Sequence, residues 1–190
     1  MKVVLLNGSP KSNGNTHIML SWMQEIFEKN GIETEYIQIG GLRLAGCRDC
    51  LCCVKEHLGH CVIVDDEFNT WMPSIKECDG LVLGSPTYFT DVTPEMKAFI
   101  DRCGRVVRAD QWLRRKVGAV VVSQRRMGAT HAYDTMNHFL LVNQMIVPGS
   151  NYWNMGFGGS PGEVTEDEQA KKTIEVLVEN MIWLLKKIHE

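Results

Sequence analysis

The sequence predicts a doubly wound α/β fold, a five-stranded parallel sheet with helices on both faces, and three observations lead there. Short continuous runs of β-forming apolar residues alternate with amphipathic helical patterns, and strands apolar throughout belong to sheets covered on both sides. The length of 190 residues accommodates five strands and about five helices in one domain spanning residues 1–190. A composition of 44% hydrophobic and 23% charged residues is that of a globular chain rather than a disordered or fibrous one. For a sheet of this class and size the expected strand order is 2-1-3-4-5.

Val3–Leu6 is the first strand, an unbroken apolar run. A helix follows over Thr16–Asn30, where Ile18, Met19, Trp22, Met23, Ile26 and Phe27 recur at three and four and Gly31 takes the position after the C-cap. Thr34–Ile39 is a weaker second strand. An irregular stretch over about residues 40–66 holds most of the cysteines and reads as a loop insertion. A helix then leads into the third strand, Leu81–Leu83. Thr93 as N-cap and Pro94 at the first helical position open a helix over Pro94–Cys103, with Met96, Phe99, Ile100 and Cys103 on one face. Gly118–Val122 is the fourth strand, Thr130–Asn143 a helix and Met145–Val147 the fifth strand. A second irregular stretch, Pro148–Val164, is rich in Gly, Asn and aromatics. The last helix, Thr165–Ile188, begins with a capping box of Thr165 and Glu168 and turns Ile174, Leu177, Val178, Met181, Leu185 and Ile188 inward.

Twenty basic against 23 acidic residues give a net charge of −3. That balance predicts neither nucleic-acid binding by bulk charge nor the acidic surface of a small electron carrier. The N-terminal apolar run is shorter than a secretory or membrane-spanning segment needs, so a cytoplasmic protein with reduced thiols and no membrane partner is expected. Among seven cysteines, five (Cys47, Cys50, Cys52, Cys53 and Cys61) fall within fifteen residues. Such crowding points to a metal or redox site. Cys78 and Cys103 lie on or beside apolar faces and read as small core residues. No cysteine carries the Cys-x5-Arg spacing of a phosphatase, since Arg108 follows Cys103 one position too early.

Ligands of open parallel sheets bind beyond the carboxyl ends of the strands, where the strand order reverses. The loop after the first strand, Gly8-Ser9-Pro10-Lys11-Ser12-Asn13-Gly14-Asn15-Thr16, runs into a helix and offers N–H groups, hydroxyls and a cation to an anion. It is neither a Walker A loop nor Gly-x-Gly-x-x-Gly, and it suits a monophosphate such as that of FMN; an ordinary capped turn is the alternative. After the third strand, Tyr88 and Phe89 offer a surface for a flat ring or else cover the sheet edge. After the fourth, Ser123-Gln124-Arg125-Arg126-Met127-Gly128 brings two arginines. They suit the pyrimidine side of a flavin, a nicotinamide cofactor's phosphate, or simply solvent.

Gly-Ser-Pro-Lys-Ser-Asn-Gly-Asn-Thr, then Ser-Pro-Thr-Tyr-Phe and Val-Thr-Pro-Glu-Met-Lys, with the cysteine window between, resemble the flavodoxin-like NAD(P)H-dependent FMN reductases and, among them, the iron–sulfur flavoproteins. The resemblance covers nearly the whole chain. It implies a flavodoxin-like fold with non-covalent FMN, its phosphate on Ser9, Lys11, Asn13, Asn15 and Thr16. The ring would then rest among Pro86, Thr87, Tyr88 and Phe89 and the loop of Ser123, Arg125, Arg126 and Gly128. Where many relatives have a glycine-rich turn, this chain carries Arg125-Arg126-Met127. The resemblance also implies a homodimer or homotetramer; the aromatic loop Asn151-Tyr152-Trp153-Asn154 either covers a flavin, its own or a neighbouring subunit's, or is a simple surface loop.

Cys47, Cys50, Cys53 and Cys61 follow C-x2-C-x2-C-x7-C, a spacing that lets successive thiolates reach one cluster. In the iron–sulfur flavoproteins that motif carries a [4Fe–4S] centre. Zinc with help from His57 or His60, and free thiols, are the alternatives; Cys52 is out of step. The reading is an FMN oxidoreductase that takes electrons from NAD(P)H or another donor and passes them to a small-molecule or protein partner. No side-chain acid or base is required of it. An electron carrier without its own substrate, or a zinc- or thiol-binding module on the same fold, are the competing classes.

Overall fold

The computed structural model describes all of residues 1–190. Its strands are β1 (Lys2–Asn7), β2 (Glu33–Gln38), β3 (Gly80–Pro86), β4 (Val117–Gln124) and β5 (Met155–Phe157). The helices are α1 (Asn15–Lys29), α2 (Cys52–Lys55), α3 (Phe68–Glu77), α4 (Pro94–Ala109), α5 (Ala129–Val142) and α6 (Glu168–His189). All neighbouring strands are parallel, in the order β2-β1-β3-β4-β5. This is the expected 2-1-3-4-5, and the direction of winding reverses between β1 and β3.

Alternation along each central strand divides the core in two. Val4, Leu6, Leu81, Leu83, Val120 and Val122 face α3, α4 and α5, while Val3, Leu5, Val82, Ala119 and Val121 face α1 and α6. Full burial of such aliphatic chains is worth about 1.5–3 kcal/mol each, which fixes which strands are central. No helix is long and apolar enough to cross a membrane.

Three elements differ from expectation. Ile146 makes only an isolated bridge to Val117, and the fifth strand lies at Met155–Phe157, against Val122–Gln124. The edge position is therefore occupied twice: Ile146 bonds the start of β4 through Lys116 and Gly118, and Asn154 takes over at Val122. Residues 148–154 loop out between them, beginning at Pro148, which has no N–H to donate. At the last helix, Thr165 falls inside a 3₁₀ turn over Glu163–Glu166 and its hydroxyl donates to the Gly162 carbonyl. The true cap is Asp167, whose carboxylate accepts the Ala170 N–H at 2.9 Å. Leu185 is the last buried residue of α6, and Ile188 in the final turn is exposed. Helix α4 runs six residues past Cys103 because its apolar face continues through Val106 and Val107. Arg102 sits in that same face, completely buried.

Candidate functional site

The β1–α1 loop is held from below. Asn7 accepts the Ser9 N–H through its side chain at 2.9 Å, and Gln38 donates to the Ser9 carbonyl at 2.6 Å and the Gly40 carbonyl at 2.8 Å. Thr93, the N-cap of α4, donates to the Gly8 carbonyl at 2.7 Å, tying the β1 and β3 loops together. Gly40 passes so close that a Cβ there would lie 2.2 Å from the Ser9 carbonyl carbon. The start of α1 carries no side-chain cap and no acidic residue in its first turn. Its first N–H groups thus lack intrahelical partners and open onto the loop, the arrangement that accepts an anion.

A recess of about 140 Å³ lies at this edge, lined by Ser9, Lys11, Gly14, Asn15, Pro86, Thr87, Tyr88, Ser123, Gln124, Arg125, Gly158, Gly159 and Pro161. It opens onto a broader depression of about 890 Å³ that shares Arg125, Gly158 and Gly159 and adds Arg126, Phe157 and the acidic Glu163, Glu166 and Asp167. The Thr87 hydroxyl oxygen is buried there and has no hydrogen-bond partner.

Not every residue singled out from sequence lines the recess. Lys11 and Asn13 are exposed on the loop, and Asn13 contributes no wall. Asn15 does line it, but its side chain is saturated. It donates to the carbonyls of Gly158 and Ser160, both at 2.9 Å, and accepts the N–H groups of Gly162 and Val164. Its side chain therefore anchors the 158–164 loop, and only its backbone N–H is left for a ligand. Thr16 is buried behind the recess, hydroxyl to hydroxyl with Ser123 at 2.8 Å. That pair needs only one of its two protons, so one hydroxyl proton remains to be donated. Phe89 projects wholly into solvent from a tight turn in which Tyr88 and Asp91 exchange both backbone hydrogen bonds, at 2.8 and 3.0 Å. Of the two aromatics, Tyr88 lines the recess and Phe89 does not. Gly128 is a backbone requirement, with φ +94° and only 2.8 Å between a would-be Cβ and Thr90 Cα. Tyr152 and Trp153 stand more than half exposed, their rings 4.6 Å apart.

Gln124, named in the sequence only as part of its loop, lines the recess, and so do Gly158, Gly159 and Pro161, which lie within the long irregular stretch Pro148–Val164. The double glycine is the available signal. A Cβ on Gly158 would lie 2.5 Å from the Asn15 amide nitrogen, so only glycine lets the loop close on α1.

The cysteine window forms a second pocket, of about 340 Å³, that shares no lining residue with the first. Cys47, Cys50, Cys53 and Cys61 all line it; Cys52 does not. Asp49 and Leu51 carry left-handed φ angles of 51° and 61°, which turn the chain sharply between successive cysteines. The Asp49 N–H donates to the Cys47 sulfur at 3.4 Å. Interaction with Cys52 lowers the Cys50 pKa and raises that of Cys52. Burial raises that of Cys53, and Cys61, Cys50 and Cys47 add to the effect, the electrostatic sign of four thiols facing one space. No group of three or more Cys, His, Asp or Glu is drawn tightly enough to hold a single metal ion. His57 pairs with Asp110 at 2.6 Å, and His60 with the Leu58 carbonyl at 2.9 Å. Arg48, Arg102 and Arg105 stand in the walls with Asp49 and Asp65, but Arg105 pairs with Asp49 at 2.7 Å and Arg102 with Asp66, which leaves Arg48 without an ion-pair partner. Elsewhere, Cys78 and Cys103 are fully buried, and burial raises the Cys78 thiol to about 11.

Comparison with known proteins identifies the family and the fold. Residues 1–160 match the NADPH-dependent FMN reductase family. An iron–sulfur flavoprotein of Methanocaldococcus jannaschii is 34% identical over 98% of this chain and all of its own length. One from Methanosarcina thermophila is 28% identical over 93% of this chain and 95% of its own. Among solved structures, RosB with a bound 8-demethyl-8-formylriboflavin-5′-phosphate superposes with a TM-score of 0.77 at 20% identity, covering all of this chain and 80% of the other. An archaeal flavodoxin superposes with a TM-score of 0.60 at 15% identity over the full length of both. The fold is flavodoxin-like.

Proposed function

Because this chain belongs to the NADPH-dependent FMN reductase family, in its iron–sulfur flavoprotein branch, we propose that it transfers electrons from NAD(P)H or another donor through FMN and a [4Fe–4S] cluster to an acceptor. The observation that carries FMN binding is the Thr87 hydroxyl, buried without a partner in a recess built from the three loops at the strand-order reversal. An orphaned buried hydroxyl costs about 1–3 kcal/mol, and the polar edge of a flavin would relieve it. The uncapped start of α1, with Ser9, Lys11 and the Thr16–Ser123 hydroxyl pair, suits the phosphate. Tyr88 and Pro86 offer a wall to the ring, and Arg125 a donor where reduction develops negative charge. Arg126, in the broad depression, suits the phosphate of a nicotinamide donor.

FMN supplies the exchange between two-electron and one-electron transfer, and the chain's part is to bind, orient and tune it. For the cluster, the supporting observation is that the four in-step cysteines share one pocket and Cys52 is left outside. We further propose a cytoplasmic homodimer or homotetramer in which Tyr152 and Trp153 meet a neighbouring subunit near its flavin.

Protein purified without oxygen tests the reading through its absorption spectrum, iron and sulfide content and anaerobic NADH and NADPH oxidation. Flavin bands, about four irons and four sulfides per chain and nicotinamide oxidation are expected. A preparation that neither contains nor takes up FMN would refute the flavin reading. Zinc in place of iron, or neither metal, would refute the cluster.

A further inference from the structure

Arg102 is the one fully buried charged residue, and no motif contains it. It projects from the middle of α4 into the wall of the cysteine pocket. Its two terminal nitrogens close the loop that bears the cysteines. Nη1 donates to the Ala45 carbonyl at 3.2 Å and to the Asp66 carboxylate, and Nη2 donates to the Ile63 carbonyl at 3.0 Å. The guanidinium carbon lies 4.1 Å from the centre of the Phe68 ring. These contacts fix the fork at both ends of the cysteine window, before Cys47 and after Cys61. Nε is the one guanidinium nitrogen with no hydrogen-bond partner, and it is buried. Native proteins rarely leave such a group unsatisfied, and this one stands in the wall of a pocket lined by four thiols.

We propose that Arg102 is a positioning residue for the redox group of the cysteine pocket, its Nε–H reserved for sulfur of the loaded site. The inference rests on the cluster reading above. Asp66 neutralises the guanidinium, so what reaches the pocket is a directed N–H rather than surplus charge. A donor aimed at cluster sulfur favours the reduced, more negative state and raises the reduction potential. Arg102 therefore joins two tasks: it holds the loop shut with Nη1 and Nη2, and it tunes the centre with Nε.

Arg102→Lys separates the tasks, because an ammonium can still pair with Asp66 but has no Nε–H. Both proteins are prepared anaerobically, analysed for iron and sulfide, and titrated with dithionite while the reduced centre is followed by electron paramagnetic resonance. Each step adds one electron from dithionite and makes or breaks no protein bond. With iron and sulfide contents equal, the variant's equilibrium constant for reduction should fall about tenfold, a potential about 59 mV more negative for a one-electron couple. An unchanged potential in an iron-loaded variant overturns the inference and leaves the cluster reading standing. A wild-type protein without iron removes both. Should the variant fail to fold, pulsed resonance on Arg48→Lys/Arg105→Lys protein labelled with [15N]arginine decides, since Arg102 is then the only arginine lining the pocket. A 15N coupling to the reduced centre is expected, and its absence overturns the proposal.

Discussion

Gly40→Ala is the sharpest probe of how the anion loop is held. A Cβ at that position would sit 2.2, 2.3 and 2.4 Å from the Ser9 carbonyl carbon, the Ser9 oxygen and the Gly8 oxygen. Ordinary carbon contacts need more than a further ångström, and every obstructing atom is backbone, so no side chain can swing aside. The backbone at Gly40 does not have the positive φ that favours glycine, so alanine is conformationally acceptable and the effect is the collision alone. Gly8 and Ser9 are also pinned by Thr93, Asn7 and Gln38, which prevents the loop from yielding freely. Overpacking of this kind costs about 1–3 kcal/mol. For a chain of this size that lowers Tm by about 2–4 °C per kcal/mol. If the loop relaxes by moving Ser9, the same strain reappears when FMN demands the original geometry, and Kd rises about tenfold per 1.4 kcal/mol. Thermal unfolding of the apoprotein and titration of flavin fluorescence measure the two effects, with Gly46→Ala, where a Cβ meets nothing within 4 Å, as the control. A Gly40→Ala protein with the native Tm and FMN affinity would refute the account of the loop.

Other outcomes follow from single contacts. Thr87→Val removes a buried hydroxyl that has no partner. Stability of the apoprotein should hold or rise by about 1 kcal/mol, while FMN affinity falls about five- to tenfold; denaturant unfolding and flavin titration should move in opposite directions. For Asp66, burial alone would raise the pKa, but Arg102 and the Ala45 and Phe68 N–H groups outweigh it and hold the carboxyl below its usual value. The stability it contributes is therefore present above the unfolded carboxyl pKa and lost as pH falls through the folded one. Urea midpoints measured from pH 6 down to pH 3 should decline, and more shallowly in Asp66→Asn. At pH 7 that variant should be less stable by about 3–5 kcal/mol, because it leaves Arg102 buried without its partner. With the Cys78 thiol pushed up to about 11 and Cys103 fully buried, iodoacetamide at pH 8 should modify at most the five window cysteines of folded, metal-free protein. Mass spectrometry of the peptides reads this directly, and labelling of Cys103 before unfolding would contradict its placement.

The sequence by itself determined the class of fold, the order of its elements and the loops that gather at one edge. Apolar runs such as Val3–Leu6 and the three-and-four spacing from Ile18 to Phe27 are local signals of burial, and burial dominates the energy of folding. The spacing of Cys47, Cys50, Cys53 and Cys61 was equally local, and those four line one pocket while Cys52 does not.

Tertiary structure decided whatever depends on residues distant along the chain. The edge strand moved from Met145–Val147 to Met155–Phe157 because register is set by the partner strand β4, which the run itself does not encode. Asn15 looked like a ligand for phosphate, yet its amide is saturated by a loop more than 140 residues away. Phe89 looked like a ring surface and stands in solvent, since two successive left-handed residues turn it outward. Arg102 was visible only as a charge within the apolar stripe of α4; its meaning needed Ala45, Ile63 and Asp66, which only folding brings to it. Periodicity records whether a side chain is buried, while a hydrogen bond records which partner it meets, and partners are chosen in three dimensions.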